Sequence, residues 1–238
     1  MTKITLTELR LFLRDPATSL IVLALPAALV ALFGVITHPA KGGDPIETYF
    51  PAMALSLGLA QLALNLMPTT LAGYREKGIL RRMSTTPVHP RRLLGAQLAV
   101  SALLSVTALV LVVLVATIVF GFDPPRHPAG FAAAFLLGTP ALLAVGLFVA
   151  AVAPSARAAT GIGVGLFFVS LAFGGVFMPA ETLPGFLVAI GDYTPLGAFM
   201  QALRAGWSGT WPQALHLAVL AGVTAVFGAL AVRMFRWE

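Results

Sequence analysis

The chain has 238 residues, of which 58% are hydrophobic and 10% charged; its fifteen basic and nine acidic side chains give a formal charge of +6, and it has no cysteine. Soluble domains run near a quarter charged, so this composition describes an all-α integral membrane protein, with length for about six spans and none left for a soluble domain. Disulfides, thiol catalysis and thiolate metal sites are excluded, and a positive charge carried in loops favours the anionic cytoplasmic leaflet and a cytoplasmic partner over nucleic acid.

The first eighteen residues precede any apolar run and contain Glu8 and Asp15, which argues against a cleaved signal peptide. Thr5 and Glu8 have the spacing of a capping box. Leu6, Leu9, Phe12 and Leu13 follow on one face, with Glu8, Arg10 and Arg14 away from it. This pattern predicts an amphipathic helix on the membrane surface, closed by Asp15-Pro16, where Asp15 can cap the first span.

Six apolar segments are expected to span: 19–36, 50–71, 98–120, 131–153, 160–178 and 214–232. Pro26, Pro68 and Pro140 are expected to kink them. An even number of spans puts both termini on one side. Assigning that side to the cytoplasm leaves twelve of the fifteen Lys and Arg inside, and Lys41, Arg126 and Arg204 outside.

Between the second and third spans lies 73–97, GYREKGILRRMSTTPVHPRRLLGAQ. It carries six basic residues (Arg75, Lys77, Arg81, Arg82, Arg91, Arg92) and one acid, Glu76. Residues 75–83 are good helix formers apart from Gly78; Thr85-Thr86-Pro87 breaks the helix, and His89-Pro90 can restart it. Charge alone is compatible with a topology signal or with a lever for a cytoplasmic partner. The segment 179–212 is too polar to span, with Glu181, Asp192 and Arg204, yet rich in apolar residues. Pro184 and Pro195 each open a short helical stretch. Two helices dipping into the outer leaflet, with Trp207 and Trp211 at the interface, or a plain external loop are the two readings.

Catalytic signatures are missing. There is no GxxxxGK[ST] to cradle a nucleotide, no HExxH and no GxSxG. His38, His89, His127 and His216 are scattered, and only His216 lies in a span, as a packing residue rather than a ligand. No carboxylate sits in mid-span, which argues against a proton or sodium carrier. Gln61, Asn65 and Thr69 recur every four residues on one face of the second span. Buried amides in lipid need partners, so that face points at another helix or at a translocation cavity. Gly161 and Gly165 have GxxxG spacing in the fifth span.

REKGILRRMSTTPVHPRRLLGAQ, residues 75–97, resembles the first cytoplasmic loop of type-2 ABC transporter permeases. GVFMPAETLPGFLVAIGDYTPLGAFMQALR, residues 175–204, resembles that family's segment between spans five and six. The two occur in the family's order and spacing, and the likeness is closest to drug-exporter permeases of the daunorubicin-resistance type. Glu76, Gly78, Arg81, Thr86 and Pro87 match the family's loop; His89, Gln97 and Asp192-Tyr193 depart from it.

The resemblance implies six spans, an N-terminal surface helix and two re-entrant helices before the sixth span. It implies a bacterial plasma-membrane permease that pairs with a second copy or a close relative and rides on two separate ATPase subunits. ATP and magnesium would sit on those subunits, with no cofactor on this chain. Arg75, Glu76, Lys77, Gly78, Arg81, Arg82, Thr86 and Pro87 become the candidate ATPase-coupling residues, braced by the N-terminal helix, and Gln61, Asn65 and Thr69 the candidate substrate pathway. The leading function is ATP-dependent export of a lipophilic or amphipathic drug, lipid or secondary metabolite. Its rivals are a membrane scaffold that binds an ATPase without transporting, and an intramembrane enzyme, which the missing catalytic residues disfavour.

Overall fold

The computed structural model describes residues 2–15, 19–37, 45–79, 91–175 and 184–235. They form helices and no strand, as an all-α integral membrane protein does. A surface helix, α1 (Thr2–Arg14), precedes α2, whose first turns (Leu20–Ala24) are π-helical and whose remainder (Leu25–Thr37) is α-helical. The second long helix, α3, is continuous through Pro45–Ala60, a π-helical turn at Gln61–Leu66, and Met67–Glu76. Next come α4 (Arg91–Leu114, with a π-helical end at Val115–Val119), α5 (Pro128–Val152), α6 (Ala156–Phe173), α7 (Gly185–Tyr193), α8 (Pro195–Ser208) and α9 (Ala214–Met234).

Five of these, α3, α4, α5, α6 and α9, are individually long and apolar enough to cross a bilayer. The apolar part of α2, Leu20–Val35, is shorter. It nevertheless runs the length of the bundle, because its two neighbours lie at opposite ends of it. At one end, the Tyr74 hydroxyl donates to Glu8 Oε2 of α1 (2.9 Å), and Leu93, Ala151 and Phe235 cluster beside Tyr74. At the other end, the Tyr49 hydroxyl donates to the Gly175 carbonyl (3.1 Å), and Trp207 Nε1 donates to the Asp123 carbonyl (3.0 Å). We call these the basic end and the far end. Both α1 and the close of α9 lie at the basic end.

Prolines explain two of the π-turns. A proline offers no N–H to the carbonyl four residues back and clashes with it. Pro26 and Pro68 each stand just after a π-helical turn, where the widened ladder absorbs that mismatch. Pro140 instead lies inside an unbroken α-helix.

The helices α3 and α5 form the centre, and α4, α6 and α9 keep most of their surface outward. Close approach at the centre is set by backbone. The Ala63 carbonyl abuts Gly146 of α5, and the Leu64 carbonyl abuts Gly163 of α6, leaving no room for a Cβ at either glycine. By contrast, Gly161 and Gly165 face open space. Among the described residues, the GxxxG pair therefore joins no helices; the intervening Gly163 does.

Helices α7 and α8 meet at 97°. Phe199 of α8 packs on Gly138, ten residues into α5, or about 15 Å at 1.5 Å per residue. At the far end, the N–H groups of Arg126 and His127 donate to the Trp207 and Gly206 carbonyls (3.2 and 3.0 Å). The pair thus enters from the far end and returns to it, as a re-entrant hairpin. Thr194 holds the turn: its Oγ1 donates to the Gly191 carbonyl (2.8 Å) and accepts from Gly197 N (3.2 Å). Asp192 stands beside buried His216, Oδ1 3.1 Å from Nε2. Among the described residues of 179–212, two short helices pack back into the bundle, and one expectation is corrected. Trp207 is buried, edge-on to Phe131, and only Trp211 is exposed.

Candidate functional site

The basic end brings together three elements that lie far apart in sequence. Residue by residue, α3 ends Tyr74-Arg75-Glu76, and each side chain takes a different partner. Tyr74 holds α1 through Glu8. The Arg75 guanidinium donates to the carbonyls of Ala150 and Ala151 (3.3 and 3.4 Å) and to that of Ala153. These are last-turn carbonyls of α5 that the helix itself leaves unpaired. Glu76 Oε2 accepts from Ala156 N (3.0 Å), the first N–H of α6. There it supplements Ser155, whose hydroxyl accepts from Ala158 N (3.2 Å) as the N-cap.

A cation at a helix C-terminus and an anion at a helix N-terminus are each favoured by the peptide dipoles. Adjacent residues of α3 thus grip both sides of the α5–α6 turn. Among the described residues, the lone acid serves as a cap on another helix.

The helix predicted over 75–83 does not run through. Residues 75 and 76 belong to α3, which stops at a turn: Lys77 N donates to the Gly73 carbonyl (3.0 Å) and Gly78 N to that of Arg75 (2.9 Å). Gly78 has φ 67° and empty space around it, so it supplies the left-handed C-terminal residue that other side chains rarely adopt. Lys77 is exposed at this turn. Arg81, Arg82, Thr86 and Pro87 lie outside the described residues, as does the predicted break at 85–87.

The surface helix also differs from expectation. It begins at Thr2, so Thr5 is inside it rather than capping it. Its inward face is Thr5, Glu8, Leu9 and Phe12, while Leu6, Leu11 and Leu13 are about half exposed. Glu8 therefore faces the bundle, and apolar leucines are left on the exposed side. Burial pushes the Glu8 carboxyl above its ordinary range, and the hydroxyl hydrogen bond from Tyr74 offsets part of that push. At the helix end, Ser19 Oγ donates to the Phe12 carbonyl (2.7 Å), tying α1 to α2.

Gln61, Asn65 and Thr69 do line one edge of α3, facing α6. Asn65 Nδ2 donates to Gln61 Oε1 (2.9 Å), and the Asn65 carbonyl oxygen, buried next to Gly163, has no partner. Thr69 shares a hydrogen bond with Thr160 (3.0 Å) on an exposed edge. What the four-residue spacing missed is the π-helical turn, which carries Gln61 and Asn65 together. The sequence signal for it was Pro68, three residues beyond Asn65. Tyr74, Ala153 and Ser155 were missed as well; no spacing rule connects them to residue 76.

Residues 40–233 match the ABC-2 family transporter protein pattern. A daunorubicin-resistance ABC transporter permease protein of Streptomyces coeruleorubidus is 30% identical over 167 residues, covering 68% of this chain and 59% of that relative's length. The match over most of the chain, together with the helical bundle and its re-entrant hairpin, places the protein in the ABC-2 family of transporter membrane subunits.

Proposed function

We propose that the chain is the permease of an ATP-driven exporter for a lipophilic or amphipathic compound, with its basic end in the cytoplasm. Twelve of its fifteen Lys and Arg fall on the side that carries both termini. Two ABC ATPase subunits would dock there, holding ATP and magnesium, while a second permease copy would cover the outward face of α6. Gln61, Asn65 and Thr69 would then line a path between α3 and the partner permease.

One observation carries the reading: the linked contacts of Tyr74, Arg75 and Glu76. A force applied to the segment after Gly78 would reach α3 directly, α5 and α6 through the two caps, and α1 through Glu8. A mere topology signal needs charge but no such joints. The coupling set Arg75, Glu76, Lys77, Gly78, Arg81, Arg82, Thr86 and Pro87 thereby divides into two jobs. Arg75 and Glu76 transmit within the permease; the residues from Lys77 onward meet the ATPase.

The test is affinity purification of the tagged chain from native membranes, with co-purifying proteins identified by mass spectrometry. An ABC ATPase should be recovered, and its hydrolysis in proteoliposomes should rise with lipophilic compounds that are also moved across the vesicle. Recovery of the ATPase without any compound being moved would leave a scaffold and end the exporter reading.

A further inference from the structure

Beneath α1 lies a cavity of about 180 Å³ enclosed by α1, α3 and α4. Its mouth reaches the surface at Leu11, which lines it and is half exposed. Its floor is apolar, with Leu62 and Leu104. Its polar groups are not those of a random lipid crevice. Glu8 and Asp15 line it, and no lysine or arginine does among the described residues, in a chain of net charge +6. Gln97 and Ser101 line it too, more than nine-tenths buried, and the Gln97 carbonyl oxygen and the Ser101 hydroxyl have no hydrogen-bond partner.

A buried polar atom left unpaired is costly, so two in one cavity mark a place where something else supplies the bonds. Most of what the cavity offers is acceptor: the Glu8 oxygen not used by Tyr74, and Gln97 Oε1. The complementary ligand is therefore a donor, and the Glu8 carboxylate makes it a cation. With liquid water at about 30 Å³ per molecule, the volume holds about six waters, enough for a head group and the first carbons of a tail. A longer tail would leave past Leu11 toward the lipid.

We infer that the cavity under α1 is a binding site for an amphiphile with a primary ammonium head, held between Glu8 and Gln97 with its tail toward the membrane. Seen with the exporter reading, on which it rests for direction, the site would collect such molecules from the cytoplasmic leaflet. Glu8 would give up part of its burial cost on meeting the ammonium, and the Tyr74 hydroxyl would keep the carboxylate oriented.

The test uses the full chain in phosphatidylcholine nanodiscs and a dodecylamine bearing a diazirine at the tail, with cross-linked peptides mapped by mass spectrometry. The amine should label segments of α1, α3 and α4 around Leu62 and Leu104, and the matching carboxylic acid and trimethylammonium probes should label them far less. Glu8→Gln keeps an acceptor for Tyr74 but removes the charge, and should lower amine occupancy by about tenfold or more. Gln97→Leu should lower it separately. Equal labelling by the carboxylic acid, or full labelling in both variants, overturns the site. A parallel arm in phosphatidylethanolamine identifies the source of the amine. Suppressed labelling there assigns the site to a membrane lipid, and undiminished labelling to another amphiphile; either supports the ammonium site. Because the labelling requires no ATPase, labelling of the chain alone, found together with a recovered complex that moves no compound, keeps the site and ends only the exporter reading.

Discussion

Arg75 and Glu76 are neighbours in α3, yet they hold the facing ends of two other helices: the arginine the C-terminal carbonyls of α5, the glutamate the first N–H of α6. Each charge sits at the helix end whose dipole favours it. The pair fixes α3 to the α5–α6 turn without any ion pair between the two.

The arrangement predicts unequal costs. Arg75→Ala leaves three terminal carbonyls without their donor and should lower the melting temperature of the purified permease clearly. Arg75→Lys should recover little, because a single ammonium cannot fork across neighbouring carbonyls. Glu76→Ala removes one cap from a helix that keeps Ser155, so it should cost about 1 kcal/mol or less. Thermal unfolding of the three variants in one detergent gives the order; a Glu76 variant less stable than Arg75→Ala contradicts it.

The same geometry revises what Glu76 does for coupling. If the acid acts by capping α6, Glu76→Gln, whose amide oxygen can accept the same bond, should retain most ATP-driven transport, whereas Glu76→Ala should uncouple hydrolysis from transport. If it acts instead through a charge on the ATPase, Gln and Ala should fail alike. Transport per ATP hydrolysed, measured in proteoliposomes with the recovered ATPase, separates the two.

Much of this architecture was legible in the sequence, and the part that was not has a common cause. Spans, the surface helix and the re-entrant prolines depend on local hydropathy and on residues a few positions apart. The sequence pattern puts Leu6, Leu9, Phe12 and Leu13 on one membrane-facing side with Glu8 away from it, whereas in the fold Leu9 and Phe12 turn inward with Glu8 and only Leu6 and Leu13 stay exposed. In a membrane, exposed leucine is stable, so a helix can turn its polar residues inward. Arg75 and Glu76 stand out in the sequence by charge, but their partners are backbone groups of Ala150, Ala151, Ala153 and Ala156, which carry no sequence signature. Likewise GxxxG spacing pointed to Gly161 and Gly165, while the helix in fact closes on Gly163, where the opposing atom is a carbonyl.

That last contact makes a clean comparison. Gly163→Ala and Gly146→Ala each force a methyl group into a backbone carbonyl, which cannot rotate away, so each should destabilise by about 1–3 kcal/mol. Gly161→Ala and Gly165→Ala meet open space and should be neutral or slightly stabilising in the isolated chain, since alanine is the better helix former. Melting temperatures of the four variants test this directly. A loss of self-association in Gly161→Ala or Gly165→Ala, with the fold intact, would place that open face against the second permease copy.

Glu8 gives a prediction in pH. Its carboxyl is raised from the ordinary glutamate value of 4.5 by burial. A group titrating higher in the folded state than in the unfolded one stabilises fully below the unfolded value, and that stabilisation is lost as pH rises through the folded value. Docking of α1 should therefore weaken from about pH 4.5 upward until Glu8 is fully ionised. Glu8→Gln cannot ionise and still offers Tyr74 an acceptor. Its melting temperature, taken relative to the native chain, should rise from near equality at pH 4 to a positive difference at pH 8. A difference that does not change with pH would mean that ionised Glu8 is as well accommodated as the neutral acid.

Asn65 decides between packing and pathway. Its amide is joined to Gln61, but its carbonyl oxygen is buried without a partner at the boundary between α3 and α6. A polar side chain kept only to bridge helices has both ends engaged, and removing it costs about 0.6 kcal/mol on average in a membrane protein. Here Asn65→Ala breaks one bond and also removes an unsatisfied acceptor, so the two effects oppose and the melting temperature should hardly move. If the free oxygen serves the transported molecule, the same variant should change which lipophilic compounds stimulate hydrolysis and cross the vesicle. Gln61→Ala should change them in the same direction, because it releases the Asn65 side chain from its present orientation. Thr69→Val, whose partner Thr160 lies nearer the basic end, should have the smallest effect of the three. A compound profile identical to that of the native chain in both amide variants, with stability lowered in each, would return Gln61 and Asn65 to helix packing.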